Sequence, residues 1–258
     1  MKQVAELCAS PIRPDSSHIP DSLAAFVSGR LAALSDPAKA AIMAAYMKTD
    51  HPFHGVQRAG QEAVVREALR LYPVRDRAGY ERNVLALWEL PHREERYVAI
   101  RYARQAKYVG PEALGLYERM IREGAWWDLV DEPAAHLVGA ALGKARAEVK
   151  PVLDLWVLDP DMWIRRTAVI AQLRLGRATD EAQLFRYCLL LAPEREFFIR
   201  KAIGWGLREY SKTAPEAVVE FLETHRERLS PLSLREGGKH LVRVGRLKKG
   251  FEKAESIE

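Results

Sequence analysis

The sequence predicts an all-α protein built as an α-solenoid. Apolar residues recur at helical spacing from about residue 22 onward, and prolines interrupt this pattern at short intervals. Two long segments also align without a gap at an offset of 35 residues. Repeats of about this length, made of helix pairs, are typical of solenoids, in which equivalent residues of successive repeats lie along one surface.

The helices are expected to follow one another as amphipathic segments. The first, SLAAFVSGRLAALS (residues 22–35), places Leu23, Phe26, Leu31 and Leu34 close to one face. The same pattern continues in QEAVVREALRLY, RNVLALWEL, EERYVAIRYARQAKYV and EALGLYERMIRE. The prolines that separate the helices are Pro73, Pro91, Pro111, Pro151, Pro160, Pro193, Pro215 and Pro231. We therefore expect about a dozen helices of ordinary length, joined by short turns.

The 35-residue offset relates residues 161–175 (DMWIRRTAVIAQLRL) to residues 196–210 (EFFIRKAIGWGLREY). The matched pairs are Trp163 with Phe198, Ile164 with Ile199, Arg165 with Arg200, Arg166 with Lys201 and Ala168 with Ile203. One period earlier, Asp131 takes the place of Arg166 and Lys201. We predict that these three charged side chains lie on one face of three consecutive repeats.

The segment AWWDLVD (residues 125–131) adds aromatic side chains to this face. Residues four apart share a helix face, so Trp127 lies over Asp131, and Trp205 has the same spacing from Lys201. Trp126 lies about 100° around the helix from Trp127, so it is interpreted as packing. Asp128 is interpreted as solvated.

Simpler explanations exist for each of these residues. Charged residues at these positions are equally typical of the solvated faces of amphipathic helices, and tryptophans commonly fill cores. Asp131 also precedes Pro133 by two residues, and proline favours a first helical turn. Asp131 is therefore open to interpretation as a helix N-cap as well.

Composition narrows the function classes. The chain has 258 residues, of which 48% are hydrophobic and 29% charged, as in a globular protein with a sizeable core. A formal charge of +5 favours a polyanionic partner. Cations are dense in WIRRTA, in FFIRKAIGWGLREYSK and between residues 235 and 253, as suits a groove that binds nucleic acid. The run from residue 245 is equally explained as a solvated tail.

Several motifs are missing from the sequence. It has no phosphate-binding loop, no H-E-x-x-H and no paired-cysteine metal site, and His51 and His54 are interpreted as part of a turn. Cys8 and Cys188 are expected to be reduced thiols. The N-terminus lacks a long apolar segment, and no apolar run approaches a membrane span, so we expect a soluble intracellular protein.

Five blocks of the sequence together resemble the AlkD-type DNA alkylation-repair glycosylases. They are AAYMKTDHPFHGVQ, ALWELPHREERYVAI, WWDLVD, MWIRRTAVIAQL and EFFIRKAIGWGLREYSKTAPE, in that order. The resemblance covers roughly residues 40–242 and implies a C-shaped solenoid of HEAT-like repeats with a basic concave groove. It also implies monofunctional hydrolysis of the N-glycosidic bond of cationic alkylated purines, notably 3-methyladenine and 7-methylguanine.

The resemblance also implies roles for individual residues at a candidate site. It implies that Asp131 is the catalytic carboxylate, that Trp127 and Trp205 flank the sugar of the lesion, and that Arg166 contacts the DNA backbone. Tyr46 matches an aromatic residue near the lesioned strand. The remaining candidates for DNA binding are Lys48, Arg165, Arg200 and Lys201.

These expectations define one helical repeat domain over residues 21–245, an N-terminal extension over residues 1–20 and a charged tail over residues 246–258. The partner is double-stranded DNA containing alkylated purines, with no cofactor and no metal ion. We expect a monomer in the cytoplasm, associated with the nucleoid. The alternative is a non-catalytic helical-repeat scaffold that binds DNA or protein, because a solenoid fold alone implies no chemistry.

Overall fold

The computed structural model describes residues 22–251, and within that range the chain forms helices and no β-strand. The predicted N-terminal extension, Cys8 and residues 252–258 of the predicted tail lie outside the described residues. The α-helices are α1 (Leu23–Ala33), α2 (Pro37–Met47), α3 (Arg58–Leu71), α4 (Arg77–Trp88), α5 (Arg93–Tyr102), α6 (Leu114–Gly124), α7 (Trp127–Pro133), α8 (Gly139–Lys144), α9 (Arg146–Trp156), α10 (Met162–Ile170), α11 (Glu181–Leu191), α12 (Phe197–Tyr210), α13 (Pro215–Thr224) and α14 (Pro231–Arg243). The all-α prediction is confirmed.

Short polar residues and prolines start many of these helices. The residue before the first turn caps the helix by accepting a hydrogen bond from a backbone N–H of that turn, which otherwise has no partner. Such caps are Ser22, Asp36, Asp76, Asp161, Asp180 and Ser230. Helices α2, α13 and α14 begin with a proline, whose missing N–H costs nothing at that position.

Successive helices stack into an α-solenoid with one continuous apolar core. Bonds between neighbouring repeats repeat at the predicted offset of 35 residues. Trp88 Nε1 donates to Glu123 Oε2 at 2.8 Å, and Arg77 Nη2 donates to Glu112 Oε2 at 3.2 Å. The period inferred from the sequence is therefore the distance along the chain between residues that face each other across adjacent repeats.

Helix α2 is attached differently from the other helices, because none of its side chains is buried. Its N-terminus is fixed by the Asp36 N–H, which donates to the carbonyl of His54 at 2.8 Å. Gly55, at φ 82°, passes so close that a Cβ there would lie 2.1 Å from the Asp36 carbonyl oxygen. Only glycine fits this contact, so the loop holds the start of α2 by a close approach of the two backbones.

The end of the helical array differs from the predicted solvated tail. Leu247 and Phe251 are partly buried and pack against the core, and the ring of Phe251 lies over Gly238 of α14. Arg246 pairs with Glu216 at 2.9 Å. The dense charges in this segment predicted solvation, but its two apolar residues hold residues 246–251 on the last helix.

No helix within residues 22–251 has both the length and the apolar character that crossing a bilayer requires.

The packing of α12 on α14 predicts a stability difference between two glycine substitutions. A Cβ on Gly204 would lie 2.4 Å from Glu236 Cβ and 2.9 Å from the Ser233 carbonyl oxygen. Gly204→Ala should therefore lower the free energy of unfolding by about 1–3 kcal/mol in urea titrations. The matched change in an open helix interior, Gly29→Ala, should raise it by about 0.5–1 kcal/mol. Equal effects of the two substitutions would contradict the close approach.

Candidate functional site

Helix α7 places Asp131 on its second turn. Ala125, at φ 38°, ends α6 in a left-handed conformation, and Trp126 is the extended residue from which α7 begins. Asp131 therefore lies inside the helix, so its interpretation as an N-cap ahead of Pro133 is wrong. Pro133 lies within α7, and a π-helical turn over Ala134–Val138 follows it directly.

The π turn fits the stereochemistry of proline. Proline cannot donate the helical hydrogen bond, and its ring crowds the carbonyl four residues earlier. A locally wider turn relieves this crowding, and such turns are frequent at functional sites. The chain then continues into α8 without a break, so Pro133 leaves Asp131 facing a groove.

Asp131 and Arg166 form an ion pair across adjacent repeats. Arg166 Nε donates to Asp131 Oδ1 and Nη2 donates to Oδ2, both at 2.7 Å, and Nη1 donates to the Phe198 carbonyl at 2.5 Å. The Arg166 side chain is 5% exposed and that of Asp131 is 16% exposed. Burial raises the pKa of the Asp131 carboxyl above its ordinary value, and the bonds from Arg166 oppose this rise.

This pair changes the interpretation of Arg166. Each of its three nitrogen atoms donates a hydrogen bond within the protein, so Arg166 orients Asp131. A carboxylate offers about four lone-pair positions, and a fork of two bonds from one arginine leaves others open. The carboxylate therefore keeps accepting capacity on the side that faces the groove.

The three predicted aromatic residues line the same groove as Asp131. Trp127 and Trp205 are half-buried, whereas Tyr46 on α2 is exposed. Tyr46 meets the ring of Trp127 edge-on, with centroids 6.4 Å apart and an interplanar angle of 83°. Lys48, at the left-handed end of α2, lines the groove beside them. The predicted juxtaposition of carboxylate and aromatic faces is present.

Trp126 and Asp128 border the groove as well, but their main contacts are with neighbouring helices. Trp126 packs against Trp163 and Phe198, with centroids 6.2 and 5.6 Å away, so the packing interpretation is confirmed. The interpretation of Asp128 as solvated is wrong. Its side chain is 6% exposed and accepts two bonds from Arg93, at 2.6 and 2.8 Å, and a short one from the hydroxyl of Tyr97.

Lys201 is the third member of the predicted face, and it pairs with Glu236 at 3.0 Å. Glu236 is 35 residues further on and also binds Arg208 at 2.9 Å and Lys239 at 2.5 Å. Burial would raise the pKa of Glu236, but the bonds from Lys239 and Lys201 hold it at about 2. One carboxylate thus serves three cations, which leaves an excess of positive charge along this wall.

Two predicted DNA-binding residues, Arg165 and Arg200, are occupied elsewhere. Arg165 forms two bonds with the Glu194 carboxylate, at 2.7 and 2.9 Å, and also binds the carbonyls of Asp159 and Pro160. Arg200 Nε donates to the Glu194 carbonyl at 3.0 Å. Neither residue lines the groove, and both fasten the loop between α11 and α12. Their expected contact with DNA therefore lacks support in the geometry.

The groove is larger than the predicted residues suggested. It includes a cleft of about 750 Å³ between α2 and the wall that carries Asp131. Apolar side chains that sequence reasoning missed line its α2 side: Ile42, Met43 and Met47. Charged and polar side chains that it missed line its far end: Arg58, Arg101, Glu132, His136 and Arg174. No residue of α2 is buried, so core-facing helical periodicity does not indicate that α2 borders the groove.

The buried histidine region is a loop anchor. The carboxylate of Glu94 accepts the backbone N–H groups of His54, Gly55 and Val56 at 2.8–3.1 Å. His54, His92 and Glu95 lie close enough together to be considered as metal ligands. The two imidazole rings, however, stack at 3.7 Å and 18°. Nearly parallel rings direct their in-plane lone pairs along separate planes, so one ion does not suit both.

Comparisons with known proteins agree with this geometry. The family model described as DNA alkylation repair enzyme matches residues 27–241. A solved structure titled "Predicted DNA alkylation repair enzyme from Enterococcus faecalis" is similar, with a TM-score of 0.75 and 32% sequence identity. That match covers 81% of this chain and 97% of the other. Among curated proteins, no significant match was found.

The buried carboxylate of Glu236 predicts a pH-dependent contribution to stability. Its pKa is lowered from an ordinary value of 4.5 to about 2, so its contribution is complete above the ordinary value and is lost as pH falls towards 2. The free energy of unfolding of Glu236→Gln should therefore lie below that of the unsubstituted protein at neutral pH. Urea titrations should show this difference shrinking as pH falls below 4.5.

The control for this experiment is Glu216→Gln, which removes an exposed carboxylate paired with Arg246. Exposed pairs contribute little, so its effect at neutral pH should stay below about 1 kcal/mol. A difference for Glu236→Gln that stays constant with pH would contradict the assigned role of the buried carboxylate.

Proposed function

The chain belongs to the DNA alkylation repair enzyme family, whose role is DNA repair, and we propose that it is a monofunctional alkylpurine DNA glycosylase. In this proposal it hydrolyses the N-glycosidic bond of cationic purines such as 3-methyladenine and 7-methylguanine in duplex DNA and leaves an abasic site. One observation carries the proposal: the Asp131 carboxylate, oriented by Arg166, lines an open groove together with Trp127 and Trp205.

The chemistry of the lesion explains why a carboxylate is useful. A purine alkylated at N3 or N7 is already positively charged, so it leaves without being protonated and needs no general acid. Its departure moves positive charge onto the deoxyribose. A preorganised carboxylate beside the sugar stabilises that developing charge, and it also orients the water that attacks the anomeric carbon. The departing base takes the bonding electron pair, and a proton of the water passes to solvent.

The two tryptophans contribute to the same transition state. The face of an aromatic ring attracts a nearby cation, by about 0.5–2 kcal/mol depending on how dry the site is. Trp127 on α7 and Trp205 on α12 line the same part of the groove as Asp131. The sugar is the part of the substrate that becomes cationic, so we assign both tryptophans to contact it.

Arg166 is a positioning residue in this proposal. Its fork of two bonds fixes the plane of the Asp131 carboxylate, and its third bond, to the Phe198 carbonyl, ties that plane to α12. Lys48, Lys201 and Arg208 line the same part of the groove, and their charge exceeds that of Glu236. We assign these three cations to the DNA backbone, where such contacts give affinity without sequence preference.

The remaining elements of the proposal follow from this chemistry. A cationic leaving group requires neither a metal ion nor an organic cofactor for the bond to break. The substrate is duplex DNA, so the protein acts where the nucleoid is, and a single groove on one chain requires no second subunit. The rival interpretation, a non-catalytic scaffold, predicts DNA binding without release of any base.

Replacement of the carboxylate tests the proposal directly. Asp131→Asn keeps the shape of the side chain but removes its charge, so excision should slow by about a hundredfold or more. Single-turnover release of 7-methylguanine from methylated duplex DNA, measured by mass spectrometry, reports this rate. Binding to undamaged duplex should be largely retained.

The control for Asp131→Asn is Asp159→Asn. Asp159 is held by two bonds from Arg122, at 2.6 and 3.0 Å, and lies outside the groove. Its loss should leave the excision rate unchanged. If Asp131→Asn releases the base as fast as the unsubstituted protein does, Asp131 is not the catalytic carboxylate. If the unsubstituted protein releases no base, the scaffold interpretation is favoured.

The pH dependence of excision provides a separate test. Activity requires ionised Asp131, so the rate should fall as pH falls through the raised pKa of this carboxyl. Arg166→Lys removes the paired bonds that oppose this rise, so the acid limb of the rate profile should move to higher pH. The matched change Arg122→Lys, beside Asp159, should leave the limb in place. An acid limb that does not move in Arg166→Lys contradicts the pairing.

A further inference from the structure

A second group of charged side chains lies at the far end of the cleft, beyond Asp131. Arg58, Arg101, Arg174 and the imidazole of His136 line the cleft here together with Glu132, and Arg104, which binds Glu132, lies beside them. Glu132 is the residue after Asp131 on α7, so this arginine cluster adjoins the proposed active site. None of its members was among the predicted site residues, and the reaction does not use them.

The arginine cluster has more positive than negative charge. Glu132 serves two guanidinium groups, through a short bond from Arg104 and an ion pair at 3.7 Å to Arg101. Arg58 pairs with Glu62 on its own helix at 2.7 Å. The exposed side chain of Arg174 has no ion-pair partner in the part of the chain that the structure describes. Four arginines therefore share two carboxylates.

Two further features show that the polar groups of the arginine cluster are not all satisfied within the protein. The Nε atoms of Arg101 and Arg104 are buried and have no hydrogen-bond acceptor, which is rare for buried donors. His136 is surrounded by the same charges. Burial, together with the positive charges of Arg104, Arg174 and Arg58, lowers the pKa of His136 to about 4. A neutral imidazole therefore lines the cleft among several guanidinium groups, where it can offer a hydrogen bond.

His136 lies on the same helical stretch as Asp131 and Glu132. In a regular α-helix Asp128, Glu132 and His136 share one line of the surface, and Trp127, Asp131 and Ala135 share the neighbouring line. All six residues line the cleft. The chain passes from α7 through the π turn into α8 without a break, so His136 meets the cleft beside Ala135.

We propose that Arg58, Arg101, Arg174 and His136 bind a backbone phosphate of the duplex next to the nucleotide held at Asp131. Planar guanidinium groups match the oxygens of a phosphate in paired bonds. A phosphate supplies the negative charge that the arginine cluster lacks, and it adjoins a deoxyribose in the DNA chain. The proposal rests on the glycosylase function only in that duplex DNA occupies this cleft.

The salt dependence of binding to undamaged duplex tests the proposal. Each phosphate contact contributes about −0.9 to the slope of log affinity against log salt concentration. Arg174→Gln should make this slope less negative by about 0.9, measured by fluorescence anisotropy. Between about 50 and about 200 mM salt, the unsubstituted protein should then lose about 3.5-fold more affinity than the variant. A slope equal to that of the unsubstituted protein would overturn the proposal.

The matched control is Arg177→Gln, because Arg177 is an exposed arginine three residues away and outside the cleft. It should keep the slope of the unsubstituted protein. Arg58→Gln gives a second measurement at the opposite side of the arginine cluster, and it should also make the slope less negative. Far-ultraviolet circular dichroism confirms that each variant is folded before its slope is compared.

Inorganic phosphate, used alone, distinguishes the source of the ligand. At constant ionic strength it should compete with the duplex no better than chloride does. Suppose instead that a few millimolar phosphate raises the Tm of the unsubstituted protein but not of Arg174→Gln, while their duplex slopes are equal. The site then takes free phosphate, and the assignment to DNA is wrong. The salt-dependence experiment uses undamaged duplex, which contains no base to be released. Its result is therefore independent of whether the protein is a glycosylase.

Discussion

The offset of 35 residues between facing positions of adjacent repeats is the constraint on which the site depends. It sets Arg93 against Asp128, Asp131 against Arg166 and Lys201 against Glu236. A buried charge is costly unless its partner is held in good geometry. Each of these pairs joins two repeats, so the stacking of the solenoid and the arrangement of its charged groups stabilise each other.

In helix α7, neighbouring residues have different roles: some fasten the helix to adjacent repeats and others line the groove. Trp126 and Asp128 face the adjoining helices, where aromatic packing and the bonds from Arg93 fasten α7 in place. Trp127 and Asp131 lie around the helix from them and face the groove. The residues that anchor the helix are thus interleaved with those proposed to act on the substrate. The position of the Asp131 carboxylate therefore depends on the contacts of Trp126 and Asp128.

Much of the fold was predictable from the sequence, because helical periodicity and a repeat offset are properties of the pattern itself. The same offset also relates Asp128 to Arg93, which lies 35 residues earlier in the chain. This spacing indicates an ion pair between adjacent repeats and therefore a buried Asp128. Arg165 and Arg200 do not line the groove, because bonds to Glu194 and to loop carbonyls decide their direction, which the sequence does not show. His136 was missed because the sequence does not show that Arg58, Arg104 and Arg174, which are distant along the chain, surround it.

Helix α2 adds a property that the rest of the solenoid lacks. It borders the cleft through Ile42, Met43 and Tyr46, yet it buries no side chain and is held at its start by backbone contacts with the loop at Gly55. Detaching such a helix exposes little apolar core, so it costs far less free energy than global unfolding. Evolution can therefore vary the entrance of the cleft independently of the scaffold, because substitutions in α2 alter access without weakening the fold.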